Sequence, residues 1–208
     1  MINYKDQISK TVVLGNGSFP THVIPVTAML NADYLVCCDG AINEYARRGY
    51  VPNIIIGDGD SISLENKICF NEKIIVIPDQ DTNDLTKAVQ HLKNNGVTKI
   101  TIIGATGARE DHTLGNISLL IEYMRLGLEV NMVTDYGIFI PLSGENEILT
   151  YKGQQISIFN FGCTQIDGEG FSYPLSVFKN WWEGSLNEAL GNVAKIKADG
   201  DYLLFLNH

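Results

Sequence analysis

Ile54-Ile55-Ile56-Gly57-Asp58-Gly59-Asp60-Ser61 joins a short apolar run to an acidic, glycine-containing turn. Three β-branched residues in succession suit a strand buried on both faces, as in a parallel sheet covered by helices. Aspartates spaced i, i+2 on such a turn can both reach one hard cation, which prefers oxygen donors. The glycines let backbone and a phosphate approach closely. The same turn also suits a plain Asp/Gly connection between two elements, so the neighbouring segments have to distinguish the two.

Outward from this run, apolar stretches alternate with helix-like ones between residues 11 and about 134. Thr11-Val12-Val13-Leu14, Tyr34-Leu35-Val36-Cys37, Ile54-Ile55-Ile56, Ile74-Ile75-Val76-Ile77 and Ile100-Thr101-Ile102-Ile103 read as five strands buried on both faces, with a sixth at Val130-Asn131-Met132-Val133. Leu85, Ala88, Val89 and Leu92 share one face of a helix that Thr82 or Asn83 would cap and Gly96 would end. Leu114, Ile117, Leu120, Ile121 and Met124 mark a second helix, from about Asp111 and closed by Gly127. A shorter one is expected over 41–48, stopped by Gly49. After about Pro141 the texture changes to short β-like pieces, Ile148-Leu149-Thr150-Tyr151, Ile156-Ser157-Ile158-Phe159, Val193-Ala194-Lys195-Ile196 and Tyr202-Leu203-Leu204-Phe205. The expected fold class is therefore α/β: a Rossmann-like parallel-sheet nucleotide domain over 1–140, followed by a small all-β sandwich over 141–208. So short a second domain has a thin core and is expected to lean on the first domain or on a second subunit.

The formal net charge of −9 and the absence of any Lys/Arg block argue against a nucleic-acid track. The amino end lacks a signal-peptide pattern and no apolar run approaches membrane-spanning length, so a cytoplasmic location is expected. Cys37, Cys38, Cys69 and Cys163 form no Cys-x-x-Cys pair and are expected to be reduced core residues.

In open α/β sheets, ligands bind beyond the carboxyl ends of the strands, and here those positions are acidic. Asp39 follows the Tyr34 strand, Asp58 and Asp60 the Ile54 strand, and Asp79, Asp81 and Asp84 the Ile74 strand. Two carboxylates ~5 Å apart repel by roughly 3 kcal/mol at an effective dielectric near ~20, which a divalent cation relieves. Magnesium typically takes one or two carboxylates and completes its shell with water and phosphate oxygens. The Ile100 strand runs instead into Gly104-Ala105-Thr106-Gly107, then Arg109, Asp111 and His112. Glycine permits close backbone approach to a phosphate, and arginine offers a planar, permanently charged fork. Together these read as a metal–nucleotide site. Each residue also has a plainer role open to it: Asp84 and Asp111 as helix-start charges, Lys87 as a solvated partner of Asp84, His112 and Asn116 as a local pair. Gly15-Asn16-Gly17 after the first strand suits a phosphate turn but lacks the full dinucleotide fingerprint.

Four segments in order resemble the successive motifs of the thiamine pyrophosphokinase family: Asp39-Gly40-Ala41-Ile42-Asn43; Pro52 through Ser61; Asp79-Gln80-Asp81 with Asp84 and Lys87; and Gly104 through Gly107 with Arg109, Asp111, His112 and Asn116. The resemblance covers about residues 35–120, and the β-rich tail is similar to that family's second domain. It implies transfer of pyrophosphate from ATP to thiamine, giving thiamine pyrophosphate and AMP, by a homodimer that holds thiamine between its subunits. Asp58, Asp60 and Asp81 would hold magnesium, with Asp39 and Asp84 close by. Asp39, Gly40, Ser61, Gly104, Thr106, Gly107, Arg109, Asp111, His112 and Asn116 would bind ATP, with Asp84, Lys87, Arg109 and Asp111 joining the metal carboxylates in catalysis. In the tail, Ser185 and Asn187 resemble a thiamine-contacting segment, although Leu186 stands where serine is usual. Trp181 and Trp182 offer an aromatic wall for the cation. Pyrophosphoryl transfer to another alcohol such as a pterin, a nucleotide-sugar transferase and a non-catalytic nucleotide or thiamine sensor are the alternatives.

Overall fold

The computed structural model describes the backbone of residues 1–208 and every side chain except that of Lys5. The amino-terminal half alternates β1 (Thr11–Leu14), α1 (Val23–Leu30), β2 (Tyr34–Cys38), α2 (Ala41–Arg47), β3 (Ile54–Gly57), α3 (Leu64–Cys69), β4 (Ile74–Val76), α4 (Asp84–Asn94), β5 (Lys99–Ile103), α5 (Glu110–Arg125) and β6 (Glu129–Val133). Strands then take over: β7 (Gly137–Ser143), β8 (Asn146–Leu149), β9 (Gln155–Asn160), β10 (Ile166–Glu169), β11 (Asn187–Glu188), β12 (Val193–Ala198) and β13 (Asp201–Asn207).

Strands β1 to β6 pair in parallel, in the spatial order β4-β3-β2-β1-β5-β6. The chain winds outward from β1 to β4, then returns to β1's other side with β5. The crevice between β1 and β5 is thus the topological switch point, where ligands bind in such sheets. Central strands read as near-continuous apolar runs because helices cover both faces: Val12, Val13, Val36, Ile55, Ile56, Ile100 and Ile102 are fully buried. Burying each such side chain contributes about 1.5–3 kcal/mol. Met29, Ala41, Ile42 and Tyr45 from α1 and α2 pack on one face. Leu85, Val89, Leu92, Leu120 and Ile121 from α4 and α5 pack on the other.

β7 then turns back antiparallel beside β6, and β13, β9 and β11 follow, so one ten-stranded sheet runs through both halves. A separate three-stranded antiparallel sheet, β10-β12-β8, faces its antiparallel end to make the sandwich. Ile138, Ile140, Ile156, Ile158, Leu204 and Leu206 meet Ile148, Ile166 and Ile196 in that core. The expected division after residue 140 falls inside β7.

Several local expectations change. β4 is the sheet's outer edge, and Val76 is exposed, so this strand is not buried on both faces. Cys37, Cys38 and Cys163 are buried, but Cys69 is exposed at the end of α3. Leu114 also faces outward, because it lies in the solvated first turns of α5 rather than on its packed stripe. Helix α1 carries Pro25 in its first turn, where a missing N–H costs nothing.

Candidate active site

The turn after β3 is built on Asp39. This residue follows β2 in a left-handed conformation, φ 37°, which is unusual for a non-glycine residue. Its buried carboxylate accepts the N–H groups of Gly59 and Ser61, both at 2.9 Å, which fixes the path of residues 57–61 from below. Burial raises the Asp39 pKa, as does the nearby Asp84 charge, against the lowering effect of the two N–H donors. Above it, Asp58 accepts the Asp60 N–H at 3.2 Å and the Gln80 amide at 3.3 Å, contacts that lower its pKa. Asp60 accepts the Ser61 hydroxyl at 2.8 Å. One carboxylate oxygen from each of Asp39, Asp58 and Asp60 lies within 4.8 Å of the other two. Such a donor set, all hard oxygens of like charge, fits magnesium.

The β4–α4 turn forms a second wall. Asp79 accepts the Thr82 hydroxyl at 2.5 Å and the Asp81 N–H at 3.1 Å, the first being the stronger cause of its lowered pKa. Asp81 itself is exposed on this turn, outside the group of three carboxylates. Asn83, rather than Thr82, caps α4 by accepting the Thr86 N–H at 2.9 Å. One turn on, the Lys87 ammonium bonds Asp84 at 3.0 Å; Lys87 is 3% exposed and Asp84 32%. This lysine is therefore a buried charge aimed at the carboxylates, not a solvated surface partner.

The third wall follows β5. Gly104 through Gly107 leads to Arg109, which precedes α5 and grips Asp111 through two bonds of 3.1 and 2.5 Å. That pairing holds the Asp111 carboxyl below its ordinary range. Asn116 ties the walls together: its amide donates to the Ala105 carbonyl at 2.9 Å and its oxygen accepts from Asn83 at 3.1 Å. Behind it, residues 15–18 run alongside this segment, with Gly15, Gly17 and Ser18 donating backbone N–H groups to Ile103, Gly104 and Thr106. A Cβ on Gly17 would lie 2.4 Å from the Thr106 carbonyl oxygen, so only glycine allows this approach.

These walls enclose a cleft of about 410 Å³ at the carboxyl ends of the parallel strands. Asp58, Asp84, Lys87, Thr106, Arg109, His112 and Asn116 line it. Asp39, Gly40, Asp60, Ser61, Asp81, Gly104, Gly107 and Asp111 stand in its supporting turns instead. Gln80 and Asn16 also line the cleft, although neither is among the expected site residues. The only signals for them were a place inside the third acidic motif for Gln80 and a glycine-flanked position after β1 for Asn16.

The tail residues lie elsewhere. Trp181 packs on Phe161 and Phe159, with ring centroids 5.3 and 6.1 Å away, whereas Trp182 is 74% exposed. The Ser185 hydroxyl donates to the Trp182 carbonyl at 2.7 Å. Asn187 is buried, donating to the Tyr173 carbonyl and accepting two backbone N–H groups. Between them Leu186 projects outward at φ 61°. Asn187 sits on β11 and Asp58 follows β3, the first and ninth strands in the sheet order. Eight inter-strand spacings of ~4.8 Å put them on the order of 40 Å apart along the sheet.

Fold and cleft together define a Rossmann-like α/β protein with a carboxylate-rich, phosphate-suited crevice at its switch point. Two family descriptions match consecutive parts of the chain: the thiamin pyrophosphokinase catalytic domain over residues 27–132 and the thiamin pyrophosphokinase substrate-binding domain over 137–205. The chain belongs to the thiamin pyrophosphokinase family. It is 39% identical over 104 residues to thiamin pyrophosphokinase 1 of Caenorhabditis elegans, covering 45% of this chain and 42% of that protein. It is 32% identical over 139 residues to thiamine pyrophosphokinase 1 of Oryza sativa subsp. japonica, covering 54% and 52%. The matches thus span about half the length of these curated relatives. Among solved structures, yeast thiamin pyrophosphokinase superposes with a TM-score of 0.80 at 18% identity, covering 99% of this chain and 90% of that one. The Candida albicans enzyme gives 0.77 at 20% identity, covering 99% and 92%. These likenesses establish a shared fold.

Proposed function

We propose that the chain transfers a pyrophosphoryl group from ATP to the hydroxyethyl oxygen of thiamine, giving thiamine pyrophosphate and AMP. The observation that carries this reading is the single cleft in which Asp58, Asp84 and Lys87 face Thr106 and Arg109. The thiamine hydroxyl oxygen attacks the β-phosphorus, the bond from that phosphorus to the α–β bridging oxygen breaks, and the hydroxyl proton passes to a carboxylate. Asp84 is the better acceptor of that proton than Asp111, since it lines the cleft and Asp111 is committed to Arg109.

Arg109 and Lys87 bind and neutralise the phosphate chain, with Thr106, Gly104, Gly107, Gly40, Ser61, His112 and Asn116 shaping its seat. Asp58 and Asp60 would hold magnesium, joined by Asp81 from the β4–α4 turn outside the group of three carboxylates, while Asp39 braces the turn that presents the first two. Bound there, the cation supplies neutralisation of developing phosphate charge. Thiamine is itself a cation, so the acidic rim attracts it as well.

We assign residues 1–140 to ATP and metal binding and 141–208 to thiamine binding and dimerisation. Since the tail residues of one chain lie far from its own cleft, the thiamine seat is composite: Trp182, Trp181, Ser185 and Asn187 of one subunit serve the cleft of another in a homodimer. The four free cysteines suit a reducing, cytoplasmic compartment.

Incubation with ATP, magnesium and thiamine as sole acceptor tests the proposal. AMP and thiamine pyrophosphate are the expected products. ADP with thiamine monophosphate would refute the transfer, and turnover with a hydroxymethylpterin but not with thiamine would refute the acceptor.

A further inference from the structure

We infer that Asn16, on the loop after β1, is a further substrate-binding residue whose side-chain amide donates to an oxygen of the transferred phosphates. This rests on the nucleotide reading above and adds a group outside the acidic and Gly/Arg motifs. The loop is anchored: Gly15, Gly17 and Ser18 donate backbone N–H groups to residues 103–106, and the Ser18 hydroxyl donates to the Gly107 carbonyl at 2.7 Å. Asn16 is thereby held at a set height over the cleft that it lines. Its side chain is exposed to the cleft and has no hydrogen-bond partner among the described residues.

The position of that amide is specific. A Cβ placed on Gly40 would lie 2.6 Å from Asn16 Nδ2 and 3.1 Å from Ser61 Cβ. The Asn16 amide thus occupies the space directly above Gly40, beside the acidic turn. A neutral donor there can approach a phosphate oxygen that the surrounding carboxylates repel, and it does so with little reorganisation because its backbone is already fixed. Being at the acidic end, it contacts the pyrophosphoryl group that is transferred and not the adenosine monophosphate that is left.

The test is calorimetric binding of ATP and of AMP, with magnesium and without thiamine, to the full chain and to Asn16→Ala and Asn16→Leu. Both variants are expected to bind ATP about tenfold more weakly, the effect of one hydrogen bond to a charged group, with AMP affinity and thermal midpoint unchanged. Retention of ATP affinity by Asn16→Leu with loss in Asn16→Ala would make Asn16 a mere wedge over Gly40 and overturn the inference. So would equal loss of ATP and AMP, or no loss in either variant. A wild-type chain that binds ATP but makes no thiamine pyrophosphate would refute the proposed activity and leave the Asn16 comparison decisive. A wild-type chain that fails to bind ATP would overturn both.

Discussion

Removing either partner of the Lys87–Asp84 pair should have unequal effects on stability. The Lys87 ammonium is almost wholly buried, while Asp84 keeps about a third of its side-chain surface in the cleft. Asp84→Ala leaves a buried cation without its direct partner; breaking a fully buried pair this way costs ~3–5 kcal/mol. Two features reduce the figure here: the cleft admits water, and Lys87 also sits in the field of Asp58 and Asp79, whose pKa values it helps to lower after nearer hydrogen bonds. A loss of about 2 kcal/mol is expected. At ~2–4 °C per kcal/mol for a domain of this size, the thermal midpoint falls by about 4–8 °C. Lys87→Met removes the buried charge altogether, keeps the packing of the stem, and leaves Asp84 to be hydrated, so the cost should stay below about 1 kcal/mol. Thermal and urea unfolding of both variants measure this directly. Equal destabilisation by the two, or a silent Asp84→Ala, would refute the description of Lys87 as a buried charge held by Asp84. Both variants should lose turnover, with Lys87→Met raising the KM for ATP.

Asp60→Asn should abolish most activity and weaken magnesium dependence while leaving the thermal midpoint unchanged, because the Asp60 side chain is exposed and Asn keeps both an oxygen to accept the Ser61 hydroxyl and the backbone N–H that bonds Asp58; unaltered magnesium titration would refute its role. Trp181→Ala should cost about 1–2 kcal/mol in urea unfolding through lost contact with Phe159 and Phe161. Trp182→Ala should leave stability intact and raise the KM for thiamine; a reversed pattern would exchange their roles. Glu44 is held down to about 2 by hydrogen bonds to Arg47 first and Arg48 next. Its stabilising contribution is complete above its unfolded value of 4.5 and is lost as pH falls toward 2. Glu44→Gln should therefore flatten the acid limb of stability over that window, and parallel limbs in wild type and variant would refute the pairing.

The parallel half of the fold was legible because strands buried on both faces must be apolar throughout, and glycines marked the ends of α2, α4 and α5, whereas α3 went unread. Where one face is wet or an edge is bare, the pattern weakened: β4 passed for a core strand because Ile74 to Ile77 is as apolar as its neighbours. α1 was hidden by Pro25, which reads as a breaker unless its place in the first turn is known. The site's acids were legible as residues after strands, but their division of labour was not. Asp39 resembles Asp58 in sequence, and only the fold shows it beneath the turn with both oxygens taken by N–H groups. Asn16 gave only its glycine-flanked place after β1, since its importance comes from residues 87 to 91 positions away along the chain, to which its loop is bonded. The distance between Asn187 and Asp58 was equally invisible, because strand order is a property of pairing and not of sequence.

The pairing of β6 with β7 means that the two halves of the molecule are panels of one surface and not bodies joined by a tether. Neither half can swing without tearing hydrogen bonds, so access to the cleft has to be controlled by turns and by whatever sits opposite. Severing the chain between the halves would also leave each with a naked strand margin, able to recruit any extended peptide it met. Fragments made in this way should clump, and the polypeptide is best regarded as folding in one piece.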